Sequence, residues 1–155
     1  MAYRIEGLNP QTFDRLFAMP DAELMQQGAR RVIADAPRGY PCRITLADAA
    51  AGDPLVLLNF VSHDVDGPFR TAYAIYVRED AAEPAQYVDA VPDMLDRRTL
   101  GLRGFDAEGM LKDALIAQPG EADARIRDLF ARTDIATIHA HNAAQGCFLA
   151  RIERN

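Results

Sequence analysis

Three times along this chain, two strand-like segments run back to back across a short turn, and that succession of local hairpins constrains the fold more than any other feature. "LVLLNFV" (Leu55–Val61) has the length and apolarity of a buried strand, and "TAYAIYVRE" (Thr71–Glu79) is rich in β-branched and aromatic residues. The intervening "SHDVDGP" supplies turn residues. "RTLGLRGF" and "GMLKDALIAQ", joined by "DAE", repeat the signal, and "DIATIHAH" with "GCFLARIER" makes a third pair. Helix–strand alternation is rare. The expected fold class is therefore α+β, with a mainly antiparallel sheet built from hairpins, two short N-terminal helices and one longer helix near the C-terminus.

The helices are placed by their caps. "AYRIEGL" alternates weakly and fits a short first strand, after which Asn9 caps a helix opening on Pro10, where a missing N–H costs nothing. Phe13, Leu16 and Phe17 fall on one face of it. A second helix over about 21–27 is closed by Gly28, and "ARRVIADAP" fits a short strand. "RGYPCR" reads as a loop because Pro41 biases Tyr40 to extended geometry. "TLADA" reads as one helical turn, with Thr45 and Asp48 at capping-box spacing. In "GEADARIRDLFART", Ala122, Ile126, Leu129, Phe130 and Thr133 recur at helical spacing, and Glu121/Arg125, Asp123/Arg127 and Asp128/Arg132 form acid-before-base pairs one turn apart.

At 155 residues the chain has the size of one domain, expected to span 1–155. No segment approaches the about 20 apolar residues that cross a bilayer, and "MAYRIEGLNP" lacks the basic and then apolar run of a signal peptide. Two cysteines, Cys42 and Cys147, are too few for a secreted disulfide framework, so a cytoplasmic location is expected. The net charge of −6 repels phosphate backbones and anionic lipid, which argues against nucleic acid and membrane as partners. Lys112 is the one lysine among 17 Lys and Arg, a bias that a GC-rich genome explains; a carboxylate or phosphate clamp among Arg43, Arg70, Arg78, Arg97, Arg98 and Arg151 is the functional alternative.

Several chemistries are excluded. The only serine, Ser62, has no G-x-S-x-G context, and Lys112 sits in an alternating strand instead of an apolar pocket, so neither a nucleophile elbow nor a Schiff base is expected. No Walker A, G-x-G-x-x-G, C-x-x-C or H-E-x-x-H occurs. "HDVDG" (His63–Gly67) begins like a calcium loop but lacks the later ligands, so it reads as a solvated turn. No cofactor and no metal are expected, and the acidic pairs Asp93/Asp96 and Glu79/Asp80 stand where solubility alone would put them.

The last hairpin is the remaining place for chemistry. With a five-residue loop, Asn142–Gly146, His141 faces Cys147, His139 faces Leu149 and Thr137 faces Arg151. Ala136, Ile138, Ala140, Phe148, Ala150 and Ile152 then share one apolar face, and a one-residue slip would mix the two sets. His139, His141, Cys147 and Arg151 come to one polar face. A histidine there would activate the thiol, with Asn142 orienting the imidazole; two imidazoles and a thiol would hold zinc if Cys42 or a carboxylate completed the set. Equally, they are polar residues of an ordinary hairpin, with cysteine as a compact apolar side chain.

"YPCR" (Tyr40–Arg43), "GPFRTAYAIYVRE" (Gly67–Glu79) and "IHAHNAAQGCFLARIER" resemble a bacterial family known as domain of unknown function 1203, over nearly the whole chain. The most specific part is the ending H-x-x-N-x-x-x-G-C-x-x-x-R, matched by His139, Asn142, Gly146, Cys147 and Arg151. In that pattern position 141 is not fixed as histidine, which counts against a two-histidine metal site. The resemblance implies no activity. It singles out Cys42, Arg43, His139, Asn142, Cys147 and Arg151 over His63 and His141, and it requires "GYPCR" to pack near the hairpin. The expectation is a module that binds a small molecule or a protein partner around the final hairpin. Its rival is an enzyme acting on an anionic small molecule, with Cys147 as nucleophile, His139 as base, Asn142 as orienter, and Arg43 or Arg151 as anion clamp. The third reading is a purely structural or interaction protein.

Overall fold

The computed structural model describes residues 1–155. The fold is built on two sheets, each with its own apolar cluster, that touch through a layer of rings. The larger has six strands in the order β7-β1-β11-β10-β8-β9, namely Gln86–Val88, Tyr3–Glu6, Phe148–Arg154, Thr137–Asn142, Leu100–Phe105 and Leu111–Ala117. All its pairings are antiparallel. The smaller has five in the order β2-β5-β6-β3-β4, namely Arg30–Ile33, Pro54–His63, Thr71–Arg78, Pro41–Cys42 and Ala47–Asp48. All three expected hairpins form: β5/β6, β8/β9 and β10/β11.

Several details depart from expectation, beginning with "RGYPCR", expected as a loop, whose Pro41–Cys42 forms the short strand β3. The smaller sheet is mixed, because β3 lies parallel to β6 through Cys42 and Tyr76. "TLADA" is a turn entering β4 and not a helical turn. Asp48 there is a buried ion-pair partner, holding Arg98 at 2.5 Å and Arg97 at 3.3 Å.

Asn9 caps as expected, its Oδ1 accepting from Gln11 N at 3.0 Å, but the turn it opens is a 3-10 turn (Pro10–Phe13) that runs into α1 (Asp14–Phe17). With α2 (Asp21–Gln26), this segment lays Phe13, Leu16, Phe17 and Leu24 over Val56, Leu58, Ile75 and Val77 of the smaller sheet. A four-residue helix, α3 (Asp93–Asp96), has no periodicity long enough to announce itself. The expected longer helix is α4 (Ala122–Phe130), with Ala122, Ile126, Leu129 and Phe130 buried. Glu121/Arg125 and Asp123/Arg127 pair along it at 3.8 and 3.0 Å, whereas Arg132 turns to Asp134 and Asp113 in place of Asp128.

α4 covers one face of the larger sheet, against Ile138, Ala140, Leu149, Ala150 and Ile152. On the opposite face, His139 and His141 meet His63 and Tyr73 of the smaller sheet. Gly7 sits at the junction: its N–H reaches Ala85 O, the next residue's N–H reaches Arg43 O, and a Cβ at position 7 would collide with the Ile44 carbonyl.

Candidate functional site

The polar face of the last hairpin is not solvated. His139 and His141 point toward the smaller sheet and are 1% and 2% exposed. The chain's third histidine, His63 at the end of β5, joins them, so all three lie in one layer between the sheets. His63 stacks on Phe105 at 4.1 Å between ring centroids and meets His139 edge-on at 4.9 Å. Phe148 caps both other imidazoles at 5.4 and 5.9 Å, and Tyr73 of β6 abuts His141 at 5.1 Å.

A bulge sets this arrangement. Ala140 pairs with Ala150 but His141 pairs with Phe148, leaving Leu149 as the extra residue on β11. The expected five-residue loop is four residues, Ala143–Gly146, closed by Asn142 N–H donating to Cys147 O at 2.9 Å, and loop and bulge together move the register by two: His139 faces Arg151 and not Leu149, and Thr137 faces Glu153 and not Arg151. Phe148 turns from the α4 side to the histidine side, while Leu149 takes its place in the core. Cys147 falls outside the strand, at the loop end beside Gly146, whose φ of 79° is the left-handed geometry that glycine adopts freely.

The hydrogen bonds assign the rings. His63 Nε2 and His141 Nδ1 each lie 3.0 Å from a backbone carbonyl, Gly109 O and Gly146 O, so those nitrogens donate. Burial pushes the His141 imidazole down to about 4, with the Gly146 carbonyl opposing the shift and Arg103 adding to it. A neutral ring has one N–H, and Nδ1 carries it; Nε2 is therefore an acceptor lone pair. Burial likewise holds His139 down to about 3, reinforced by His63, His141, Arg151 and Arg103. Both of its nitrogens are buried without a hydrogen-bond partner, an arrangement that costs about 1–3 kcal/mol per group.

His139 sits in a cross-strand row, Arg151–His139–Arg103, with one arginine on each neighbouring strand. Arg151 is held by Glu153 at 2.7 Å. Arg103 forms no ion pair; its Nη1 donates to the Tyr73 hydroxyl at 3.0 Å. Burial raises the Tyr73 phenol, but the hydrogen bonds from Arg103 and Thr71 and the Arg103 charge outweigh it, leaving it below the ordinary value. Arg103, Tyr73, Phe105, Phe69, His139 and His141 line a cleft of about 290 Å³ at the mouth of the sheet interface. The local field disfavours a cation: two guanidiniums flank the central imidazole, and no group of three His, Cys, Asp or Glu side chains is set to hold a metal ion.

The expected contact between "GYPCR" and the hairpin is present. Arg43 is 2% exposed and donates Nε to Phe148 O at 2.8 Å, Nη1 to Pro41 O at 2.5 Å and Nη2 to Cys147 Sγ at 3.4 Å. Burial pushes its guanidinium down from the ordinary value, opposed by Cys147. Arg43 has no carboxylate partner. Cys42 is buried elsewhere, its sulfur accepting from Thr45 N at 3.5 Å and Arg78 N at 3.4 Å. Asn142 Oδ1 accepts from Ala144 N and Gln145 N at 3.0 and 3.3 Å, which shapes the loop and leaves no acceptor turned to an imidazole. Cys147 is partly exposed, and neither His139 nor His141 hydrogen-bonds to it.

Of the six residues that sequence singled out, the structure joins Arg43 to Cys147 and sets His139 opposite Arg151. It does not join Cys42 or Asn142 to either pair. His63, Tyr73 and Arg103 were missed. For Arg103 the available signal was its place in "GLRGF", an arginine between two glycines, Gly101 and Gly104, in a strand otherwise made of apolar residues.

Fold and site together define a two-sheet α+β protein with an aromatic–histidine layer between its sheets and an arginine-lined cleft at the edge of that layer. Residues 39–154 match the family described as protein of unknown function (DUF1203), and the chain belongs to that family. No curated protein and no solved structure matches it.

Proposed function

We propose that this protein is a binding module for a small anionic molecule, taken into the cleft beside the C-terminal hairpin. Arg103 carries the reading: a guanidinium with no carboxylate partner, positioned by Tyr73 over a partly apolar cleft, is the arrangement that captures an anion with an organic body. The cleft volume of about 290 Å³ suits a small metabolite and is too little for a dinucleotide. No helix in the chain is long and apolar enough to cross a membrane. Calorimetric melting with acetate, benzoate and inorganic phosphate as probes tests the proposal. At least one should raise Tm for the wild type and not for Arg103→Leu. If none raises it, or if Arg103→Leu responds like the wild type, the reading fails.

A second reading rests on a different observation. Arg43 brings a buried cation to Cys147 Sγ at 3.4 Å, which favours a thiol-dependent activity on an anionic substrate in which Cys147 is the nucleophile. Cys147 should then react with iodoacetamide near neutral pH many-fold faster than a small-molecule thiol. Parity with that reference would remove the reason to invoke it.

A further inference from the structure

Building on the anion-binding reading, we propose that the cleft ligand is a small aromatic hydroxycarboxylate: a flat monoanion with one hydrogen-bond donor on its ring.

The charge follows from the lining. Of the two arginines in the cleft, Arg70 is neutralised by Asp64 at 3.1 Å and Arg103 is not, so one positive charge is left for the ligand. No helix end borders the cleft, which is walled by β6, β8, β9 and β10 and the turn before β6. A phosphate dianion would lack the cradle of backbone N–H groups that such ligands use. A carboxylate fits the planar fork of a single guanidinium, and the Tyr73 hydroxyl already bound to Arg103 offers a second donor.

The ring follows from the walls. Phe69 and Phe105 stand 6.2 Å apart edge to face, and Tyr73 and His141 stand 5.1 Å apart in the same manner. Two aromatic pairs on a slot between sheets favour a flat π-face over a branched aliphatic body. The donor follows from the tautomer. His141 spends its only N–H on Gly146 O, so its Nε2 can only accept, and the ligand group meeting it must be an O–H or N–H. An unsubstituted aromatic acid leaves that lone pair without a partner. Specificity from such a hydrogen bond is commonly tenfold or more.

The experiment is isothermal titration of benzoate, the three hydroxybenzoate isomers, butyrate and inorganic phosphate into the wild type, His141→Phe and His141→Gln, with circular dichroism confirming that each variant is folded. At least one hydroxybenzoate should bind about tenfold more tightly than benzoate, and benzoate more tightly than butyrate or phosphate. His141→Phe should reduce the hydroxybenzoate preference to near unity, while His141→Gln, which keeps an acceptor, should retain part of it. If butyrate or phosphate binds as tightly as the aromatic acids, or the preference survives in His141→Phe, the aromatic hydroxycarboxylate is refuted and the anion-binding reading stands. If none of the six binds at millimolar concentration, both are refuted.

Discussion

Acid should open this protein along the seam between its sheets. His139 and His141 are buried as neutral rings titrating at about 3 and about 4, against about 6.5 for histidine in an unfolded chain. The groups facing them from every packed strand reinforce this: His63 on β5, Tyr73 on β6, Arg103 on β8 and Arg151 on β11 include no carboxylate. Because the folded values lie below the unfolded one, the unfolded chain takes up protons first. Stability is complete above about pH 6.5 and falls as pH drops from there toward 4 and then 3. At pH 5, about 1.5 units below the unfolded value, each ring should cost about 2 kcal/mol, and the two together about 4 kcal/mol. That is a large share of a typical total of about 5–15 kcal/mol. The carboxylates depressed by ion pairs, such as Asp80 and Asp123, respond only nearer their ordinary values around 3.8, below the pH 5 at which the histidine loss is read. The assay is urea unfolding followed by far-ultraviolet circular dichroism at about pH 7.5, 6 and 5, since the chain has no tryptophan. His139→Phe should halve the slope of stability against pH, whatever it does to the value at pH 7.5, and adding His141→Phe should nearly abolish it. A wild type losing less than about 1 kcal/mol over that range, or a double variant with an unchanged slope, would refute the reasoning.

Two further substitutions separate structural from chemical roles. Arg43→Met should cost about 2–4 kcal/mol in urea unfolding, because the Phe148 and Pro41 carbonyls lose a buried donor, and a loss below about 0.5 kcal/mol would show that Arg43 is not a structural tie. Asn142→Ala should lower stability by about 1 kcal/mol through the two loop N–H groups that its Oδ1 accepts, yet leave the alkylation rate of Cys147 unchanged; an altered rate would restore its role as an orienting residue.

The parts of this fold that could be read from sequence are those decided by local chemistry. Hairpins β5/β6, β8/β9 and β10/β11 announce themselves by alternation and turn residues, and α4 by its apolar period and i,i+4 pairs. What was hidden depends on distant partners. The two-residue strands β3 and β4 have no pattern of their own and exist because β6 supplies an edge. The bulge at Leu149 adds one residue without altering composition, and only packing decides that Leu149 enters the core while Phe148 turns to the histidines. The largest displacement concerned solvent. A strand with polar residues on one face suggests an exposed sheet, and pairing with a second sheet converted that face into interior. His63, set aside as a turn residue, became part of the layer for the same reason.

The place of β11 also governs when the molecule can become itself. It is flanked by β1 and β10, and Ile5 pairs with Ile152 across nearly the whole chain. Arg43 has a local acceptor in Pro41 O, but its Nε finds one only at Phe148 O. The β11-facing edge of β1 and the Arg43 Nε therefore stay unmatched until the final hairpin has been made. Such long-range closure is slow compared with forming a local hairpin. The interval in which that edge is open to wrong pairing is set by how soon Phe148–Arg154 follows it.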